Sequence, residues 1–185
     1  MVRNKIGPPR VMVTRMKHQD ETALKEEMIA LIPRLRRFAL GLTGNLAQAD
    51  DVVQTALERA LTRLHQFTPG TRLDSWMFRI VQTSWIDACR KASRREEGVE
   101  MDTLERLSGG SMAEVTASDL RQDIDAAMSR LSEEQRALVM LVLVEGYSYQ
   151  EASDALGIPV GTVMSRLARA RKAMMAQLGG KEARA

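Results

Sequence analysis

A chain of 185 residues has room for one medium domain or two small ones. Hydrophobic residues make up 44% and aromatic residues only 4%, so the cores must be built from Leu, Val, Ala and Met, a composition that favours helices over strands. The net charge is +3, and a lone cysteine (Cys89) with two distant histidines (His18, His65) excludes an internal disulfide and any recognisable metal-ligand spacing. No metal and no cofactor is therefore expected.

Residues 1–20 carry Arg3, Lys5, Arg10, Arg15 and Lys17 against one acid, Asp20, and include Gly7-Pro8-Pro9. They read as a basic, disordered extension. No apolar signal core follows them and no stretch is long enough to cross a membrane, which predicts a cytoplasmic protein without membrane insertion. A helix follows from about Thr22 to Leu42, with Pro33 expected to kink or divide it. The clearest helix runs from Ala47 to His65. Val52, Val53, Ala56, Leu57, Ala60, Leu61 and Leu64 form one stripe of a 3.6-residue period. Residues 67–71 form a loop by their turn residues. Asp74 then caps a helix through Trp76, Phe78, Ile80, Val81 and Trp85 that ends in Arg90, Lys91, Arg94 and Arg95.

Residues 96–118 are acidic, contain Gly109-Gly110-Ser111 and show no sustained period. They read as a flexible linker. A second helical region starts near Asp119. Ser132 with Gln135 forms a capping box for a helix through Val144, whose apolar run Ala137–Val144 reads as buried. Gly146 stops it. A short helix spans Tyr149–Leu156, Gly157 supplies a left-handed cap, and Pro159 opens a last helix to about Leu178. The expected organisation is all-α: a helical domain at 21–95, the linker at 96–118, and a second helical domain at 119–180 containing a helix-turn-helix.

That helix-turn-helix is the strongest chemical signal. Val160, Val163, Met164, Leu167 and Met174 of the last helix are placed to face a core, leaving Thr162, Ser165, Arg166, Arg169 and Lys172 outside. Small and basic side chains in the first turns suit a helix whose N-terminal end enters a major groove. Arg contacts guanine or phosphate there, and Ser or Thr a base edge or phosphate. Geometry of this kind alone leaves a basic hairpin that merely packs as an equal reading.

The residues Gly146–Met174, "GYSYQEASDALGIPVGTVMSRLARARKAM", closely resemble the C-terminal DNA-reading domain of extracytoplasmic-function sigma factors. The segments "ADDVVQTALERAL", "FTPGTRLDSWMFRIV" and "WIDACRKASRR" resemble the N-terminal domain of the same family. Together the two matches cover roughly three quarters of the chain, in the family's order and spacing. The resemblance implies a factor that binds core RNA polymerase and directs promoter-specific initiation. It also implies service in a stress response, control by an anti-sigma factor, a monomer when free, and no enzymatic activity.

Site roles follow from the resemblance residue by residue. Gly161, Thr162, Ser165, Arg166 and Arg169 correspond to the helix that reads the minus-thirty-five element. Gln66, Phe67, Thr71 and Arg72 lie on the loop that captures a minus-ten base. Arg79, Thr83, Ile86, Arg90 and Lys91 share the adjoining helix. Asp51, Gln54, Thr55, Glu58 and Arg59 look like the face that docks on the polymerase clamp. The acidic connector corresponds to the linker that passes through the polymerase's nucleic-acid channel. Two departures stand out: Thr83 replaces the family's frequent Asn, and Ala152 and Ser153 replace a bulkier apolar residue, which predicts looser packing. Trp76 and Trp85 leave base stacking and core packing open, with core packing favoured. Rival functions are a stand-alone helix-turn-helix regulator, expected to dimerise, and a sigma-like partner-switching mimic. An enzyme is a weak third, since no nucleophile–base set or phosphate loop is present.

Overall fold

The computed structural model describes residues 18–96 and 115–182. The extension at 1–17 and the linker at 97–114 lie outside the described residues. Among the described residues seven α-helices run in order: α1 (His18–Thr43), α2 (Leu46–Thr62), α3 (Leu73–Glu96), α4 (Val115–Ser129), α5 (Glu133–Val139), α6 (Tyr149–Leu156) and α7 (Val160–Glu182). A 3-10 turn at Leu64–Gln66 follows α2, and a π-helical turn at Met140–Val144 continues α5. No strand occurs among the described residues.

Local chemistry sets most boundaries. Gly44 takes φ +68 after α1, and Asn45 caps α2 by accepting the Gln48 N–H at 3.0 Å. Ser132 and Gln135 form the capping box of α5, and Ser148 with Glu151 forms a second at α6. Gly157 ends α6 at φ 66, the left-handed cap.

Several expectations need correction. Pro33 lies inside one continuous α1 and does not divide it. Helix α1 already begins at His18, so the last three residues assigned to the extension are helical. Helix α4 begins at Val115, which takes four residues from the expected linker. Asp74 sits in the first turn of α3, not at its cap. The run at Ala137–Val144 is buried only as far as Leu141. The π turn, closed by the Glu145 N–H on the Met140 carbonyl at 2.9 Å, carries Leu143 and Val144 out to solvent. Leu61 and Met164 are likewise exposed, each having sat at the margin of its apolar stripe.

Helices α1, α2 and α3 pack on one another, and α4–α7 form a second group. The two groups share one continuous core. Phe38, Phe78 and Tyr147 stack across their boundary, with ring centroids 4.8 Å and 5.9 Å apart. Gly41 of α1 lies against Met140 of the π turn so closely that a Cβ would stand 2.2 Å from its sulfur. Arg136 of α5 reaches across to donate to the Leu42 carbonyl at 2.8 Å, one of the terminal carbonyls that α1 leaves without a helical partner.

Candidate nucleic-acid interface

The helix-turn-helix is held by its own backbone chemistry. The Ser153 hydroxyl, nearly buried, donates to the Ile158 carbonyl at 2.6 Å, and the Ile158 N–H returns to the Ser153 carbonyl at 3.1 Å. The expected loosening at Ala152 and Ser153 is thus not found: Ala152 is fully buried and Ser153 braces the turn. Val163, Leu167 and Ala170 bury the inner face of α7. On its outer face Gly161, Ser165 and Arg169 are exposed, and Thr162 and Arg166 are half-buried. The space beside the Gly161 Cα is open, so no contact within the described residues demands a glycine there. Arg166 pairs with Glu134 of α5 at 3.3 Å. Five residues singled out in the sequence therefore line one end of one helix.

The residues assigned to the minus-ten element separate into distinct environments. Gln66, Thr71, Arg72, Arg79, Thr83, Arg90 and Lys91 are exposed and Ile86 is half-buried. Phe67 is 6% exposed and packs on Trp76, ring centroids 5.5 Å apart, so in this structure its side chain is part of the core. Thr83 turns its hydroxyl onto the Arg79 and Ile80 carbonyls, both at 3.0 Å. Trp76 and Trp85 are partly buried and pack against the core, the reading favoured for both.

The assigned polymerase face stays open. Asp51, Gln54, Thr55 and Glu58 are exposed on α2, with Gln54 donating to Glu58 at 3.2 Å. Arg59 is tied to Asp87 of α3 at 2.7 Å.

A charged seam at the boundary was not foreseen from the sequence. The Glu145 side chain is 1% exposed and is gripped from α1 by Arg34 at 2.8 Å and Arg37 at 2.7 Å. Arg72, in the loop just before α3, joins Asp74 of α3 and Glu151 of α6, and lies 4.5 Å over the Tyr147 ring. Ser148 holds the Glu151 carboxyl below its ordinary range by donating its backbone N–H and its hydroxyl. Burial pushes the Asp74 carboxyl up, but hydrogen bonds from Arg72 and Tyr147 outweigh it and hold the group at about 2. Burial and the nearby Glu133 carboxylate push the Cys89 thiol up to about 12. The only sequence cue to this seam is Glu145 itself, an acid directly following an apolar run. Nothing local names its partners.

Asp74 supports a pH prediction. Its folded-state value lies below the ordinary 3.8, so its contribution is present above about pH 4 and is lost as pH falls toward 2. Asp74→Asn is expected to cost about 1–2 kcal/mol at pH 6, and the gap to wild type should narrow below about pH 4 and close only below about pH 2. Urea unfolding across that range checks it. A pH-independent gap would assign the effect to packing alone.

A helix-turn-helix joined to a three-helix unit with a basic face defines the class of sigma-type DNA-reading proteins. The family model described as "Sigma-70, region 4" matches residues 121–174, and "Sigma2 domain of PhyR" matches residues 28–82. The chain is similar to the ECF RNA polymerase sigma factor EcfG of Rhodopseudomonas palustris. The two are 35% identical over 158 residues, 84% of this chain and 85% of the relative. It is also similar to the solved sigma factor RpoE of Bartonella quintana, in complex with the anti-sigma factor NepR. There the TM-score is 0.69 at 31% identity, covering 85% of this chain and 98% of the other. The anti-anti-sigma factor PhyR of the same organism shares the fold alone, with 20% identity, a TM-score of 0.57, and 83% of this chain matched to 50% of that one. The chain belongs to the extracytoplasmic-function (ECF) RNA polymerase sigma factors, which makes it an initiation factor and not an enzyme. Among the described residues no helix is long and apolar enough to cross a membrane.

Proposed function

We propose that this sigma factor binds core RNA polymerase and directs it to promoters as a cytoplasmic protein, monomeric when free. Helix α7 reads the duplex minus-thirty-five element through Gly161, Thr162, Ser165, Arg166 and Arg169. The loop after α2 and the adjoining face of α3 take the opened minus-ten strand through Gln66, Thr71, Arg72, Arg79, Thr83, Ile86, Arg90 and Lys91. Flipping a base costs a few kcal/mol, which polar and stacking contacts return. The face of α2 bearing Asp51, Gln54, Thr55, Glu58 and Arg59 docks on polymerase. Linking two weak DNA modules through one enzyme raises affinity by effective concentration.

The observation that carries this reading is the run of small and basic side chains in the first turns of α7, on a braced helix-turn-helix in an ECF sigma chain. The Bartonella quintana relative, solved with NepR, supports an anti-sigma protein as a further partner, and release from it in a stress response fits the family's use. Run-off transcription on a genomic fragment library, with purified core polymerase plus this chain, tests the proposal. Initiation at a defined set of sites is expected. A folded chain that programs none would remove it.

One observation favours a second reading. The match of residues 28–82 to the sigma2 domain of PhyR fits a sigma-like decoy that occupies an anti-sigma protein. A decoy binds that protein and initiates no transcription, so the same run-off assay separates the two.

A further inference from the structure

The outer face of α7 sets one large apolar side chain among small and basic ones. Met164, in the second turn, is 51% exposed. Between Val160 and Ala170 it is the one large hydrophobic side chain left exposed. Its exposed neighbours three and four positions away on the helix are Gly161 and Ala168. The space beside Gly161 is open, so on its outward side the long, flexible methionine stands above a glycine and a methyl group. The polar residues nearby are engaged with the protein itself. The Ser165 hydroxyl donates to the Thr162 carbonyl at 3.1 Å, the Arg169 Nε donates to the Ser165 carbonyl at 3.3 Å, and Arg166 pairs with Glu134.

Charge indicates what covers this face. Helix α7 carries Arg166, Arg169, Arg171 and Lys172, and no acid before Glu182. Such a surface suits a polyanion. The apolar group that a DNA duplex presents to a helix in its major groove is the C5-methyl of thymine. We propose that Met164 is a specificity-determining residue of the upstream-element contact, reading one thymine by packing its thioether end against that methyl. The inference rests on the assignment of α7 to duplex DNA made above and adds a base preference to it. Exclusion of water between two apolar groups supplies the preference. Cytosine at the same place has no methyl, and its amino group would lose water against the methionine without gaining a comparable partner. The missing side chain at Gly161 and the small one at Ala168 leave room for the base edge.

Deoxyuridine in place of thymidine tests this, because it pairs alike and lacks only the methyl. The full chain with core polymerase is titrated against duplexes of a promoter recovered by run-off mapping, each with one upstream thymidine replaced. Wild type is expected to bind one of these duplexes about three- to fivefold more weakly than the parent, the worth of one buried methyl. Met164→Ala should bind both alike at that position. Met164→Leu, which keeps an apolar end, should retain a ratio of about twofold or more. Each ratio is taken within one variant, so changes in folding or in polymerase binding cancel. A wild type indifferent to every replacement would overturn the methyl contact. The same ratio in wild type and Met164→Ala would overturn the role of Met164 and give the methyl to another residue. Wild-type binding that survives scrambling of the whole upstream element, or the absence of any recovered promoter, would instead remove the reading of α7 on which the inference rests.

Discussion

Replacing Phe78 with alanine is expected to lower the unfolding free energy by about 3–5 kcal/mol, the cost of deleting a fully buried aromatic and leaving a partly collapsed cavity. Phe78 is wholly inaccessible and occupies the junction of both helical groups. It meets Phe38 of α1 and Tyr147 of the second group, and the Arg34 guanidinium lies 5.5 Å from its ring. Its loss therefore removes core volume from α1–α3 and support from the boundary at once. For a chain of this size the melting temperature should fall by roughly 10 °C. Phe78→Leu, which keeps most of the volume, should cost less than half as much. Calorimetry of the two variants checks both numbers. A loss below about 1 kcal/mol for the alanine variant would mean that the junction repacks freely and does not couple the two groups.

The second large effect concerns Arg166. Its alanine variant is expected to weaken binding to a duplex carrying the upstream promoter element by about tenfold or more, the 1–3 kcal/mol typical of one Arg contact in a groove. Binding to core polymerase should not change, because the proposed docking face lies on α2. The fold should tolerate the substitution: the pair with Glu134 is partly exposed, with Arg166 at 26% and Glu134 at 52%, and exposed pairs contribute little. Glu134→Ala is the informative companion. It frees the guanidinium without removing it, so upstream-duplex affinity should hold or rise. Band-shift titrations with and without polymerase, on a promoter recovered by run-off mapping, give the measurement. Loss of polymerase binding in Arg166→Ala, or equal loss of DNA binding in Glu134→Ala, would contradict the assignment of α7.

The parts of this molecule that were legible beforehand share a short range. Ser132 and Gln135, or Gly157 and Pro159, act within one turn of themselves, and their hydrogen-bond and dihedral rules hold wherever the chain goes next. The inner stripe of α2 and the outer face of α7 follow from the same periodicity. Met164 was expected to face a core and is exposed, because it sits at the margin of its apolar stripe, where the rotation of the helix against its neighbours decides. Asp74 was read as a cap from its type, yet Arg72 and Tyr147 recruit it into the seam, and α3 starts at Leu73.

The amino-acid sequence by itself determined the helical class, the helix-turn-helix with its small and basic leading turns, and the family. All three rest on local propensity and on motifs contiguous in the chain. Only the tertiary structure decided that the two helical groups share a core and that Glu145 lies between Arg34 and Arg37. It alone showed that Arg72 meets Glu151 of α6. Those partners stand up to 111 positions apart. Which charge meets which across such a separation depends on how whole helices pack, a choice made by summed apolar burial that no local pattern encodes.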